Sequence, residues 1–310
     1  MRDPGAQMSI TFLGTGASWP TAERGLSAIA VKRGPEILLW DCGEGTQRQI
    51  QKSGLSYQQI TQLWLTHFHG DHCYGVPGLL KTMALNERKE PLWVYGPRGL
   101  LRTIEAWRAL RGWPKDFPIH VQEVKPGDVV NREGYSVHVY AGDHGIENLC
   151  FALQEPDRPG FFDKPKALEL GIPEGPLFGR LQRGETVTTK DGRTFKPEQV
   201  VGPPRKGRRI SFSGDTQPCL GVMEAALGSD VFICEATYTQ DLVEKARENR
   251  HMTAQEAAAI AQKAKAEKLL LTHISPRYKD TTPVLAEAKA VFPNVEVVED
   301  FTSVEVAVKK

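Results

Sequence analysis

Apolar residues along this chain fall into short runs, each closed by a glycine, an acid or a histidine, and that punctuation predicts strands ending in polar turns. Ile10-Thr11-Phe12-Leu13 runs into Gly14-Thr15-Gly16, Ser27 to Val31 and Ile37 to Asp41 follow as two further strands, and Leu63-Trp64-Leu65 stops at Thr66. Trp93 to Gly96, Ile119 to Val124 and Tyr135 to Ala141 extend the series, with helical spacing between strands at about 46–53, 75–86 and 98–111. Further on, Ile210-Ser211-Phe212 leads into Ser213-Gly214-Asp215, Val231-Phe232-Ile233-Cys234 into Glu235, and Leu269-Leu270-Leu271-Thr272 into His273. Thr253-Ala254-Gln255-Glu256 matches a capping box, so the Ala-rich stretch from Ala254 to Lys268 is predicted as a helix. There is no repeat of about 20 to 50 residues and no coiled-coil heptad. The expected class is α/β.

The pattern changes from Gln154 to about Arg209, where Pro and Gly recur and residues 156–209 hold 12 Lys and Arg against 7 Asp and Glu. That balance of +5 leaves the rest of the chain at −4. The stretch reads as an insertion, expected at about 154–200, part of which can form a protruding flexible arm. Its most basic piece is Arg205-Lys206-Gly207-Arg208-Arg209. A solvated basic face is the competing reading.

Composition adds boundaries. A chain of 310 residues suits one large domain or two ordinary ones, and its 40% hydrophobic content is ample for a core. The 39 basic and 38 acidic residues nearly cancel, so any nucleic-acid partner must be met by a local patch. Cys42, Cys73, Cys150, Cys219 and Cys234 form no C-x-x-C pair and are odd in number, which points to a reduced compartment. No apolar run approaches the roughly 20 residues that span a bilayer, and a signal-peptide core is missing, so a soluble cytoplasmic protein is expected. Residues 1–7 are expected to be a polar extension, and residues 8–310 a single domain carrying the insertion.

The densest chemistry follows Leu65. His67, His69, Asp71 and His72 stand where a strand end delivers its residues into a turn. Imidazole nitrogens hold Zn²⁺ well, while a hard carboxylate oxygen serves as a ligand or accepts a proton from water. Alternation at 67 and 69 turns two imidazoles one way, and Asp71 with His72 can face a second ion. Four side chains cannot complete two coordination spheres, so later residues must contribute. The strand ends offer His144, Asp215, Glu235 and His273. Each of these alone also suits a turn, a cap or an ordinary core position, and a surface turn with adventitious metal affinity is the bland reading of 67–72.

Taken in order, His67, His69, Asp71, His72, His144, Asp215 and His273 resemble the ligand series of the metallo-β-lactamase superfamily, whose fold packs two β-sheets between outer helices. Four further features narrow the likeness: Phe12-Leu13-Gly14-Thr15-Gly16, Asp41-Cys42-Gly43-Glu44-Gly45-Thr46-Gln47, the Gly171 to Arg183 run with its Gly-Pro element, and Cys234-Glu235-Ala236-Thr237 with His251-Met252-Thr253. Together they resemble the short-form ribonuclease Z family of tRNA 3′-processing endonucleases, over nearly the whole chain from Met8.

The resemblance implies two Zn²⁺ ions per subunit, one held by His67, His69 and His144, the other by Asp71, His72 and His273, with Asp215 bridging. A hydroxide between two such ions would attack phosphorus in line. Asp71 is the expected proton acceptor, and His251, positioned by Glu235, the expected donor to the leaving sugar oxygen. The implied reaction removes 3′ trailers from tRNA precursors after the discriminator nucleotide, leaving a tRNA 3′-hydroxyl and a 5′-phosphorylated trailer. Lys164, Lys166, Arg180 and Arg183 are expected to meet RNA phosphates, Gly175 and Pro176 to shape the arm, and Arg277 to meet the substrate near the metals. A homodimer is implied as well, with the arm of one subunit serving its partner's site. Around Pro276 and at Cys234 the chain departs from residues familiar members often show, so recognition of the RNA 3′ end can differ in detail. The competing functions are a small-ester hydrolase of the same superfamily, which has no use for a basic arm, and a non-catalytic RNA binder, against which the full ligand series argues.

Overall fold

The structure is a computed structural model and describes residues 7–109 and 113–309. Residues 1–6 of the expected extension and 110–111 of the helix expected over 98–111 lie outside the described residues.

Two compact units emerge, one running to Gln154 and resuming over Arg209–Ala307, the other spanning Glu155–Arg208 with the last residues of the chain. The larger unit begins with β1 (Met8–Gly14), β2 (Ala28–Arg33), β3 (Glu36–Trp40), β4 (Ile60–Trp64), β5 (Leu92–Gly96) and β6 (Ile119–Glu123). A second sheet starts with β7 (Val129–Arg132), β8 (Tyr135–Asp143) and β9 (Glu147–Gln154). The smaller unit carries β10 (Val187–Thr188) and β11 (Thr194–Phe195); β12 (Arg209–Phe212), β13 (Val231–Glu235), β14 (Lys268–Thr272) and β15 (Val295–Val297) complete the second sheet. The last strand, β16 (Ser303–Glu305), returns to pair with β1. The two large sheets run β16-β1-β2-β3-β4-β5-β6 and β15-β14-β13-β12-β9-β8-β7.

Alternation along each strand explains the layers. On β3, Leu38 and Trp40 face the core between the sheets, while Ile37 and Leu39 face outward. The inner core adds Phe12, Trp64, Phe151, Phe212 and Ile233, with Trp40 stacked on Phe212 at 5.9 Å and Trp64 edge-on to Phe151 at 5.3 Å. Outside the first sheet lie α1 (Thr46–Ser53), α3 (Val76–Leu85) and α4 (Leu100–Arg108), with the one-turn α2 (Gly70–Cys73) ahead of α3. The smaller unit holds α5 (Lys164–Glu169) and α6 (Pro176–Gln182). Outside the second sheet lie α7 (Leu220–Ala226), α9 (Ala254–Lys263) and α10 (Thr282–Val291), with α8 (Val243–Glu248) ahead of α9. Helices therefore cover both sheets, so strands buried on two faces read as continuous apolar runs rather than alternating ones. Among the described residues no helix is long and apolar enough to cross a membrane.

The topology also gathers the strand ends. β3 and β4 are parallel, as are β12, β13 and β14, and β8 runs in the direction of β12 because each is antiparallel to β9. The C-terminal ends of these strands precede Asp41, His67, His144, Asp215 and His273, and Glu235 closes β13.

One helix departs from the sequence expectation, and the insertion gains detail. The helix expected over Ala254 to Lys268 stops at Lys263, because Lys265 takes a left-handed φ of 53° and the amide of Ala266 bonds to the carbonyl of Ala261. The insertion, expected at about 154–200 as an arm, is a small folded unit over 155–208. Ala167, Ile172, Leu181, Val187, Phe195 and Val200 form its core, with Phe162 packed on Phe178 at 4.6 Å. The apolar residues of the run are spaced to meet one another, which a bare hairpin would leave in water.

Truncating Phe151→Ala in the inner core is expected to cost about 3–5 kcal/mol. Urea unfolding of the two proteins, followed by tryptophan fluorescence, measures that loss.

Candidate binuclear metal site

Seven side chains converge where the parallel strands end. His67 Nε2 and His144 Nε2 lie 3.1 and 3.2 Å from His69 Nδ1, and His72 Nε2 lies 3.3 Å from His273 Nε2. Asp215 Oδ2 stands between the groups, 3.9 Å from His67 Nε2, 3.7 Å from His144 Nε2, 3.2 Å from His72 Nε2 and 3.3 Å from His273 Nε2. Asp71 Oδ2 joins the second group at 3.7 Å from His72 Nε2 and 3.5 Å from His273 Nε2. The result is two nests, His67–His69–His144 and Asp71–His72–His273, that share one carboxylate oxygen of Asp215.

The surrounding bonds fix which nitrogen faces inward. His72 Nδ1 donates to Asp41 Oδ2 at 2.7 Å, and His144 Nδ1 donates to the Arg250 carbonyl at 3.0 Å. The Thr66 hydroxyl gives its proton to Asp41 and so accepts from His67 Nδ1 at 3.0 Å. In the same way the Thr237 hydroxyl donates to Glu235 at 2.6 Å and accepts from His273 Nδ1 at 2.9 Å. Four Nε2 atoms are thereby aimed at the centre by hydrogen bonds of the kind that orient metal-binding imidazoles.

Lone pairs this close repel unless positive charge sits among them. Burial opposes a charge on His72, yet Asp215 and Asp41 hold its pKa well above the ordinary imidazole range. Burial and the neighbouring His72 hold His67 well below it. Burial works against ionisation of Asp71, but His273 and His72 keep its carboxyl below the usual carboxylate range. The centre thus favours positive charge, and its imidazoles and ionised carboxylates are the donor types that suit zinc-like divalent metals.

Strain is concentrated around this centre. Among the described non-glycine residues seven have positive φ, and Ser18 (64°), Asp41 (57°), Arg250 (53°) and His273 (57°) are four of them. Each turns a group inward: the Ser18 amide donates to Asp71 Oδ2 at 2.8 Å, and the other three have been described above.

His251 sits at the rim, its ring 4.7 Å from that of His144 and 5.4 Å from that of His273. Its Nδ1 lies 2.9 Å from Glu235 Oε1 and 4.0 Å from Asp215 Oδ2. Glu235 is fully buried, fixed by the amides of Thr216 at 2.7 Å and Met252 at 3.2 Å. Burial disfavours the His251 imidazolium, but Glu235 and then Asp215 outweigh it and push the pKa up to about 9. Arg277 stacks over Tyr238 at 4.9 Å, and Tyr238 in turn flanks His251 at 6.0 Å, so the guanidinium is held by an aromatic beside His251.

The expected RNA contacts lie in the smaller unit. Gly175 takes φ 146° ahead of Pro176, which opens α6. Lys164 pairs with Glu174 at 2.6 Å, and Arg180 and Arg183 share Glu185 at 2.7 and 3.1 Å; Lys166 lines a cleft with Phe161 and Phe162. The sequence reading passed over these carboxylate partners, and it passed over Asp41, Thr66, Thr237 and Arg250 at the metal site. Asp41 carried the signal used for the candidate site residues, a polar side chain directly behind an apolar strand. For a backbone carbonyl such as that of Arg250 a sequence gives no signal.

Two sheets between helices, with candidate metal-binding side chains on parallel strand ends around a shared carboxylate, define a metallo-β-lactamase-fold metalloenzyme. Residues 189–274 match the family described as "Beta-lactamase superfamily domain", and residues 8–113 the one described as "Anti-Pycsar protein Apyc1". Ribonuclease Z of Methanosarcina acetivorans is 45% identical over 96% of this chain and 98% of its own length, and ribonuclease Z of Myxococcus xanthus 46% identical over 97% and 99%. The crystal structure of human tRNase Z, short form, superposes with a TM-score of 0.71 at 28% identity over 98% of this chain and all of its own. The metallo-β-lactamase fold protein YhfI of Bacillus subtilis, at TM-score 0.70 and 16% identity, shares the fold. The chain belongs to the ribonuclease Z family of metal-dependent endoribonucleases.

Asp41→Asn removes the charge behind His72 while keeping its shape. Metal affinity, measured by competition with a chromogenic chelator, is expected to fall about 10- to 100-fold.

Proposed function

We propose that this protein is a zinc endoribonuclease that removes 3′ trailers from tRNA precursors, cutting after the discriminator nucleotide to leave a tRNA 3′-hydroxyl and a 5′-phosphorylated trailer. The observation that carries the reading is the pair of nests sharing Asp215 Oδ2, a geometry suited to gripping both sides of one phosphodiester. His67, His69, His144 and Asp215 hold one zinc ion, and Asp71, His72, His273 and Asp215 the other. Bound there, the ions supply Lewis acidity for the phosphoryl oxygens and lower the pKa of the attacking water. Asp71, kept ionised by His273 and His72, takes the proton of that water on a carboxylate oxygen. His251, with Nδ1–H committed to Glu235, presents Nε2–H to the leaving 3′ oxygen and protonates it. Arg277 faces substrate phosphate from its seat on Tyr238.

The smaller unit grips the body of the precursor. Its ion pairs at Lys164, Arg180 and Arg183 are exposed and therefore weak, so phosphates can replace Glu174 and Glu185 as partners. The protein acts as a homodimer, which sedimentation checks directly.

Gln154 and Arg209 are paired across β9 and β12, so an Asn-Gly turn can replace residues 155–208 without opening the sheet. This shortened protein is expected to hydrolyse bis(p-nitrophenyl) phosphate while losing cleavage of a trailer-bearing tRNA precursor. An intact protein that hydrolyses the ester and leaves the precursor whole would make it a small-substrate enzyme.

His251→Ala is expected to lower kcat on the precursor about 10²- to 10⁴-fold, and far less on the nitrophenyl ester, whose phenolate leaves without a proton. Glu235→Gln removes the partner that raises the His251 pKa, so the proton is lost at lower pH and the alkaline limb of kcat/KM moves downward in pH. An unmoved limb in the pH profile removes His251 from the acid role.

A further inference from the structure

We propose that Trp19 and Tyr74 are nucleobase-stacking surfaces at the mouth of the metal site, holding the nucleotides that adjoin the scissile phosphate. The proposal rests on RNA being the substrate. Four aromatic side chains are exposed among the described residues, and these are the two most exposed, at 61% and 66%. Trp40 and Trp64, by contrast, are fully buried in the core. An exposed ring is free to offer its flat face to a ligand, and what these two can meet is decided by where the chain places them.

Their placement identifies the partner. Trp19 follows Ser18, whose amide is bonded to the ligand Asp71, and Ala17, whose amide donates to the Ile274 carbonyl at 3.1 Å directly after the ligand His273. The loop that carries Trp19 is thus tied to both ends of the second nest. Tyr74 stands two residues behind His72, and its amide closes α2 onto the Gly70 carbonyl at 3.0 Å. Its ring lies against Gly70, where an added Cβ would come within 2.5 Å of it. Gly70 separates His69 from Asp71, so the tyrosine is seated on the loop that supplies four ligands.

A phosphodiester held between the nests leaves one nucleotide on each side. Bases of a single-stranded RNA end are unpaired, and stacking on aromatic rings holds them without reading their identity. That property fits an enzyme whose trailers differ in sequence, because every base offers a flat face. Hydrogen-bonding side chains at the same places would select particular bases instead.

The test uses tRNA precursors carrying 2-aminopurine immediately 5′ or immediately 3′ of the cleaved bond, mixed with the zinc-loaded protein in a stopped-flow fluorimeter. Stacking is expected to quench the fluorescence before cleavage. Trp19→Leu and Tyr74→Leu are expected to lose that quench and raise KM for the precursor about tenfold, with kcat and bound metal little changed. Trp19→Phe and Tyr74→Phe, which keep a ring, should retain both properties. Variants that match the wild type in quench and KM overturn the stacking role alone. Leucine variants that instead dissociate into monomers make the rings a subunit contact and likewise overturn it. A wild-type protein that leaves the precursor uncut overturns the substrate reading, and this proposal with it.

Discussion

The contact on which the rest of the structure depends is the approach of Asp215 Oδ2 to imidazoles of both nests, at 3.2 Å from His72 and 3.7 Å from His144. A buried carboxylate needs compensation: burial works against the Asp215 charge, and His273, His72 and His251 outweigh it and hold the carboxyl well below its usual range. Each side chain there is therefore unfavourable alone. The constellation persists because the sheets hold it: the loops leave rigid strand ends, and an extended inner core lies directly beneath. Left-handed backbone at Ser18, Asp41, Arg250 and His273 is the cost the fold carries to turn those groups inward.

The same physics decides what could be read from the sequence. Strand ends were legible because a strand buried on both faces is an uninterrupted apolar run, as in Leu269-Leu270-Leu271, and the first polar residue after it marks the rim. His273, Asp215 and the 67–72 cluster stood out on that basis. β9 was not singled out, although it pairs both β8 and β12 and so sets the common direction of the strands that present His144 and Asp215. Only three residues separate it from β8, and it opens on the polar Glu147 and Asn148 before its apolar run begins at Leu149. Helix α9 was read too long because alanine gives no stop signal. A lysine in left-handed conformation ends it, and lysine has no such preference in sequence.

The insertion shows a different limit. Its Gly and Pro content marked the turns of an insertion, while the spacing of apolar residues around those turns, which was not read, builds a core too small for a large unit and sufficient for a local one. At the base, Arg208 makes a two-pronged pair with Glu155 at 2.7 and 2.9 Å, both side chains buried. That pair differs in kind from the exposed ones at Glu174 and Glu185. The buried pair fixes where the unit begins and ends, whereas the exposed pairs exchange partners at little cost. Fixed and exchangeable charges are thus separated by burial within one short segment.

Burial likewise separates two carboxylate–imidazole pairs of nearly equal length. His72 and Asp41 lie 2.7 Å apart and His251 and Glu235 2.9 Å apart, and in both the carboxylate favours a positively charged ring. His72 is wholly enclosed and its Nε2 faces Asp71, Asp215 and His273, so the charge that Asp41 invites is best supplied by a shared cation. His251 stands at the rim with its side chain 12% exposed, where a proton can enter and leave. One pair therefore tunes an enclosed imidazole and the other an imidazole open to proton exchange. What distinguishes them is access to water, which the strand-end topology sets by placing His72 inside the turn and His251 on the loop ahead of α9.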